Sequence, residues 1–228
     1  MGCRPDRPAC GYAQADTDYL IGGDGGTSHG FSAILGIGFT AHGRDLPNPL
    51  ELVGAAQWIV SLPRPDDPNP GRLILNPGAA LQTQFTMHAR YESGDLFGCL
   101  RSKGLDQTIC GTVNFDTGGP DIVAVTDGEA PATAWLAGSD VSLKLKGEPP
   151  LAFHVGDGGA ASQVRVLPYT MRFTNEVPFI NAGVYPYFFY DVFYDAAARK
   201  VGLKARAAPR PPAPQGADLK TAASRPSP

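Results

Sequence analysis

Charge is in short supply in this 228-residue chain: 18% of residues are charged and the formal net charge is −3. Lysines and arginines nowhere gather with interleaved aromatics, so the chain carries no electrostatic footprint for nucleic acid. Long apolar runs are also missing. None approaches the roughly 18 residues that a bilayer-spanning helix needs, and residues 1–30 lack the apolar core of a signal peptide. The histidines His29, His42, His88 and His154 are scattered, which supports neither a Ser/His/Asp constellation nor a metal site. No metal and no organic cofactor is expected.

Cysteine is sparse too, and its four copies fall as two near pairs, Cys3 with Cys10 and Cys99 with Cys110. Near pairs suit disulfides in an oxidising compartment; three connectivities are open, of which the local one is the most natural. A zinc site would need closer spacing and a histidine pair, and free thiols are the alternative for a cytosolic protein. Met1-Gly2-Cys3 opens like an acylation signal, but Asp6 stands where that pattern wants Ser or Thr.

Glycine and proline, by contrast, are abundant, at 28 and 22 residues. With short runs rich in Val, Phe and Tyr they favour many short strands joined by turns, a mostly β protein. Residues 1–30 read as a glycine-rich segment. Phe31 to Phe39 reads as a buried strand, and Asn48-Pro49-Leu50-Glu51-Leu52-Val53 as a short helix capped by Asn48 with Pro49 at its first position. Trp58–Leu62 and Arg72–Leu75 make two strands around a Pro/Asp/Asn turn. Further strands are expected within 82–91, 108–125, 141–145, 151–155, 163–173 and 186–203. From residue 206 to 228 the chain is rich in Pro, Ala and Ser, the composition of a disordered tail. Gly36-Ile37-Gly38-Phe39-Thr40-Ala41 meets the dinucleotide fingerprint, but prolines and a glycine follow where the pyrophosphate-facing helix should begin.

Two segments carry the chemistry. Thr112-Val113-Asn114-Phe115-Asp116-Thr117-Gly118-Gly119 places a carboxylate directly after a β-type run and inside a glycine turn. Phe179-Ile180-Asn181-Ala182-Gly183-Val184 and the aromatic stretch to Leu203 follow in the right order and at a distance. Together with Ile34-Leu35-Gly36 they resemble the pepsin-like aspartic peptidases, over about residues 31–205. The resemblance implies a pepsin-like acid-protease β-barrel lobe with part of a second lobe: a remnant of the N-terminal lobe at 31–81 and a C-terminal lobe at 82–205. Asp116 would be the catalytic carboxylate of that lobe, Thr117 the bracing hydroxyl and Gly118 the turn glycine, with Ile180 and Gly183 in the strand packed behind.

Such enzymes activate water between two carboxylates that share a proton, and the substrate implied is a polypeptide. Two departures stand out. Gly119 offers no hydroxyl where the family usually has Ser or Thr beside the aspartate. The chain also has no second Asp-Thr-Gly, and only 33 residues precede Ile34, too few for the family's first catalytic turn and tyrosine flap. The resemblance therefore implies a missing amino-terminal part, through truncation or a misplaced start, and an extracellular or periplasmic setting if the true start lies upstream. Unpaired strands at 31–81 would promote self-association. The alternative is a non-catalytic peptide-binding or structural β-protein that kept the lobe and lost the dyad. Asp121 and Asp195 read as turn carboxylates, and Tyr185, Tyr187, Phe188, Phe189, Phe193 and Tyr194 as sheet-packing residues.

Overall fold

Aromatic and β-branched residues at alternate positions build two sheets. A computed structural model of the chain describes residues 37–38, 48–64, 70–91, 95–119, 121–128, 132–156, 164–168 and 178–207. The glycine-rich start, most of the 31–39 strand, the remainder of the fingerprint run, Cys3 and Cys10, and the tail beyond Ala207 lie outside the described residues.

The first sheet has five strands: β1 (Gln57–Ser61), β2 (Arg72–Leu75), β3 (Thr86–Ala89), β12 (Tyr190–Asp195) and β13 (Lys200–Ala205). Their order is β2-β1-β12-β13-β3 and every pairing is antiparallel. Strands from both sides of residue 82 thus share one sheet. One face of it presents Trp58, Val60, Val192, Tyr194, Val201 and Leu203 to the main core. The Trp58 and Tyr194 rings stack there at 5.7 Å. On the opposite face Phe85 covers Phe193 at 5.4 Å, over Gly202, where a Cβ would stand 2.7 Å from the Met87 sulfur.

Among the described residues two short α-helices accompany these strands, α1 (Pro49–Leu52) before β1 and α2 (Ala79–Gln82) between β2 and β3. The expected cap of α1 forms: Asn48 accepts from the Leu50 N–H at 2.7 Å and Pro49 opens the helix. The Asn48 amide also donates to the Gly38 carbonyl, and the Trp58 indole to the Ile37 carbonyl at 2.7 Å.

The second sheet has eight strands: β4 (Leu96–Ser102), β5 (Gln107–Asn114), β6 (Ile122–Val125), β7 (Thr133–Trp135), β8 (Asp140–Leu145), β9 (Leu151–His154), β10 (Val164–Leu167) and β11 (Phe179–Asn181). The order is β7-β10-β6-β11-β5-β4-β8-β9, and the sheet curls as a half-barrel. β4 and β7 were not among the expected strands. In β4 the inward positions are Leu96, Gly98, Leu100 and Ser102, so glycine and serine break the apolar alternation on which recognition of a strand depends. Gly98 is required because a Cβ there would lie 2.9 Å from both the Lys144 carbonyl and Val113 Cγ2. Cys99 and Cys110 stand directly opposite in the β4–β5 register and form a disulfide, as one of the two expected local pairs.

Two pairings in this sheet are parallel, β11 with β5 and β10 with β6. Because β11 lies between β5 and β6, the chain leaving β11 emerges inside the loop that joins those two strands. This interleaving places the residues after β11 against the residues after β5. Among the described residues no helix is long and apolar enough to cross a membrane.

Candidate active site

Asp116 follows β5 by one residue, at the end of a strand whose Thr112 and Val113 are buried. The backbone then turns: the Gly119 N–H donates to the Asp116 carbonyl at 3.1 Å, and the Gly118 N–H donates to Asp116 Oδ1 at 2.9 Å. A carboxylate that closes its own turn in this way is a common use of Asp before glycine. Here the turn is also clamped from outside. The Asp116 N–H donates to the Gly183 carbonyl at 3.0 Å, and the Val184 N–H donates to the Gly119 carbonyl at 2.8 Å.

Gly183 makes this clamp possible. Its φ is +58°, in the left-handed region that glycine adopts without a steric penalty. A Cβ at Gly183 would stand 2.3 Å from the Gly119 carbonyl oxygen and 2.7 Å from that of Asp121. Both acceptors are backbone and cannot swing aside. The structure thus brings Asp116, Gly118 and Gly183 together. Thr117 sits half-buried between Asp116 and Gly118. Ile180 is fully buried in β11, opposite Val113 of β5.

Two contributors were not read from the sequence. Asn181 ends β11, and its amide donates to Asp116 Oδ2 at 2.9 Å while its own oxygen accepts from the Gly183 N–H at 2.8 Å. Asn181 therefore supplies Oδ2 with a donor where Gly119 has no hydroxyl to offer. Space favours this solution, since a Cβ at Gly119 would come within 3.0 Å of that same oxygen. An amide just before the Ala-Gly pair was the available signal, and its neighbours Ile180 and Gly183 drew the reading instead.

The second contributor is Asp95. It precedes β4, is 5% exposed, and accepts from the Phe115 N–H at 2.8 Å. Its own N–H donates to the Val113 carbonyl at 2.9 Å. Burial pushes the Asp95 carboxyl up to about 7, against the opposing pull of the Phe115 N–H and the Arg90 guanidinium; the nearby Asp116 carboxylate adds to the rise. Behind it the Tyr187 and Tyr194 hydroxyls meet at 2.7 Å. Both are held above the ordinary phenol range, first by burial and then by Asp95.

Asp195 caps a turn, accepting from the Ala198 N–H at 2.8 Å and from the Gln57 amide at 2.8 Å. Tyr185, Tyr187, Phe193 and Tyr194 are buried in packing, and Phe188 and Phe189 lie against the core. His88 pairs with Glu148 at 2.9 Å and His154 with Asp140 at 2.6 Å. Among the described residues no group of three potential metal ligands forms.

No protein-family model matches the chain, and a comparison with curated proteins finds no match.

Proposed function

We propose that this chain is the Asp116-bearing part of a pepsin-like aspartic endopeptidase, in which Asp116 polarises the water that attacks a peptide carbonyl. The observation that carries the reading is the clamped turn. Both Asp116 oxygens have a donor, from the Gly118 N–H and the Asn181 amide, and two backbone hydrogen bonds lock the turn to Gly183 and Val184. A solvated turn aspartate has no need of a second strand threaded through its loop. A carboxylate that must face a reacting atom does, because a small misplacement of a catalytic group is costly. Asp116 is half-buried, which leaves it reachable.

The chemistry needs a second carboxylate, sharing one proton with Asp116 so that the pair carries a single charge. Asp95 does not fill that role. It is buried, and it faces the Phe115 peptide on the β4 side of the turn. The proposal draws the partner carboxylate from residues outside the described set or from another polypeptide. The half-barrel sheet and the Cys99–Cys110 disulfide fit a secreted peptidase.

A second reading has its own support. The two donors that position Asp116 also satisfy it, so the turn is equally a stable structural corner of a non-catalytic β-protein. Peptide cleavage at acidic pH separates the two. The peptidase reading expects turnover that a statine-containing peptide inhibits and that Asp116→Asn abolishes. A folded native chain that neither cleaves a peptide between about pH 2 and pH 6 nor binds the statine-containing peptide leaves the non-catalytic reading.

A further inference from the structure

We infer that Asp95 is a positioning residue for Asp116: its buried carboxyl and its backbone N–H together fix the segment that enters the Asp-Thr-Gly turn. Its standing as a positioning residue rests on the peptidase reading of Asp116, whereas the grip on the segment does not.

The geometry is specific. The Asp95 side chain holds the Phe115 N–H at 2.8 Å, and the Asp95 backbone holds the Val113 carbonyl at 2.9 Å. One residue thus grips both ends of the Val113–Phe115 segment, and the next residue along is Asp116. The Phe115 ring in turn packs edge-on against Tyr187 at 5.9 Å, so the segment cannot rotate without disturbing the core. The charged and titratable groups whose fields reach Asp95 are Arg90 from the segment after β3 and Asp116 from the turn after β5, and Asp95 in turn acts on Tyr187 of the 3-10 helix Tyr185–Phe188 and on Tyr194 of β12. The tyrosine hydroxyls are spent on one another at 2.7 Å.

In its neutral form the Asp95 carboxyl keeps an acceptor for Phe115 and adds no charge beside Asp116. Ionised, it places a negative charge at a buried position, on the group that holds the Phe115 N–H. A change of charge on Asp95 is therefore felt first at Phe115, the residue before Asp116.

Carboxyl-carbon and amide NMR of the full chain tests this without requiring turnover. The native chain is expected to show the Phe115 amide inflecting at the pH where the Asp95 carboxyl carbon itself titrates. In Asp95→Asn, which retains an acceptor for Phe115, that shared inflection should vanish. In Asp95→Ala, the Phe115 amide should exchange with solvent about tenfold faster or more. Should the alanine variant fail to fold, native against Asp95→Asn decides alone. A Phe115 amide that ignores the Asp95 titration, or an inflection that survives in Asp95→Asn, would overturn the inference. An absence of cleavage in every chain would count against the peptidase reading only and leave the NMR result standing.

Discussion

At the scale of single residues, the site depends on positions where one atom more or less decides the outcome. Gly183→Ala drives a Cβ into two backbone carbonyls, so a loss of more than about 3 kcal/mol is expected in urea unfolding. Asn181→Ala removes one donor and one acceptor from the turn, and a loss of about 1–3 kcal/mol should accompany it. Asp95 makes stability depend on pH. Its folded-state value of about 7 lies above the ordinary 3.8, so the folded chain binds the extra proton between those limits. Stability from this group is fully present below about pH 4 and is lost as pH rises through 7, by about 4 kcal/mol. Unfolding midpoints measured from pH 4 to pH 8 should fall in the native chain, and this component of the fall should be absent in Asp95→Asn. Asp116 and Gly183 were legible in the sequence because a carboxylate in a glycine turn after a β-type run, and a glycine after Phe179-Ile180-Asn181-Ala182, are local patterns. Asp95 and Asn181 were not. Each acts through a partner distant in the chain, and Ser93-Gly94-Asp95 reads locally as an ordinary turn.

At the scale of elements, the β4–β5 hairpin carries the site. The Cys99–Cys110 bond joins opposed residues 11 apart in the chain. Closing so short a loop should contribute about 2–3 kcal/mol, so the Cys99→Ala/Cys110→Ala chain is expected to unfold at a lower midpoint than the oxidised native chain, and reductant should lower the native midpoint more than that of the variant. Helix α1 was legible because Asn48-Pro49 states its own beginning, and β1, β2 and β8 because their apolar residues are consecutive or alternate. β4 escaped notice because Gly98 and Ser102 stand at its inward positions, Gly98 to let β5 and β8 approach. The parallel pairing of β11 with β5 is likewise invisible along the chain. It depends on register between segments more than sixty residues apart, while local pattern reports only that each is a strand.

At the scale of the whole molecule, composition sufficed for the class: glycine, proline and short aromatic runs specify a mostly β chain, and two sheets form. The way in which β1 and β2 join β12 in one sheet was not legible from it. Among the described residues β2 is the outermost strand of its sheet, and Leu73 and Leu75 on it are 43% and 42% exposed. Leu52 and Val53 beside α1 are exposed as well. An outer strand with apolar side chains is a template for pairing with another chain, so sedimentation should show concentration-dependent association, relieved by Leu73→Lys/Leu75→Lys. The central claim is that the clamped Asp116 turn is built to face a reacting peptide. Calorimetric binding of a statine-containing peptide at acidic pH tests it most directly, because the peptide mimics the tetrahedral state that such a carboxylate would stabilise. The account expects saturable binding by the native chain that Asp116→Asn weakens at least about a hundredfold. Equal binding by both folded chains, or none by either, would contradict it.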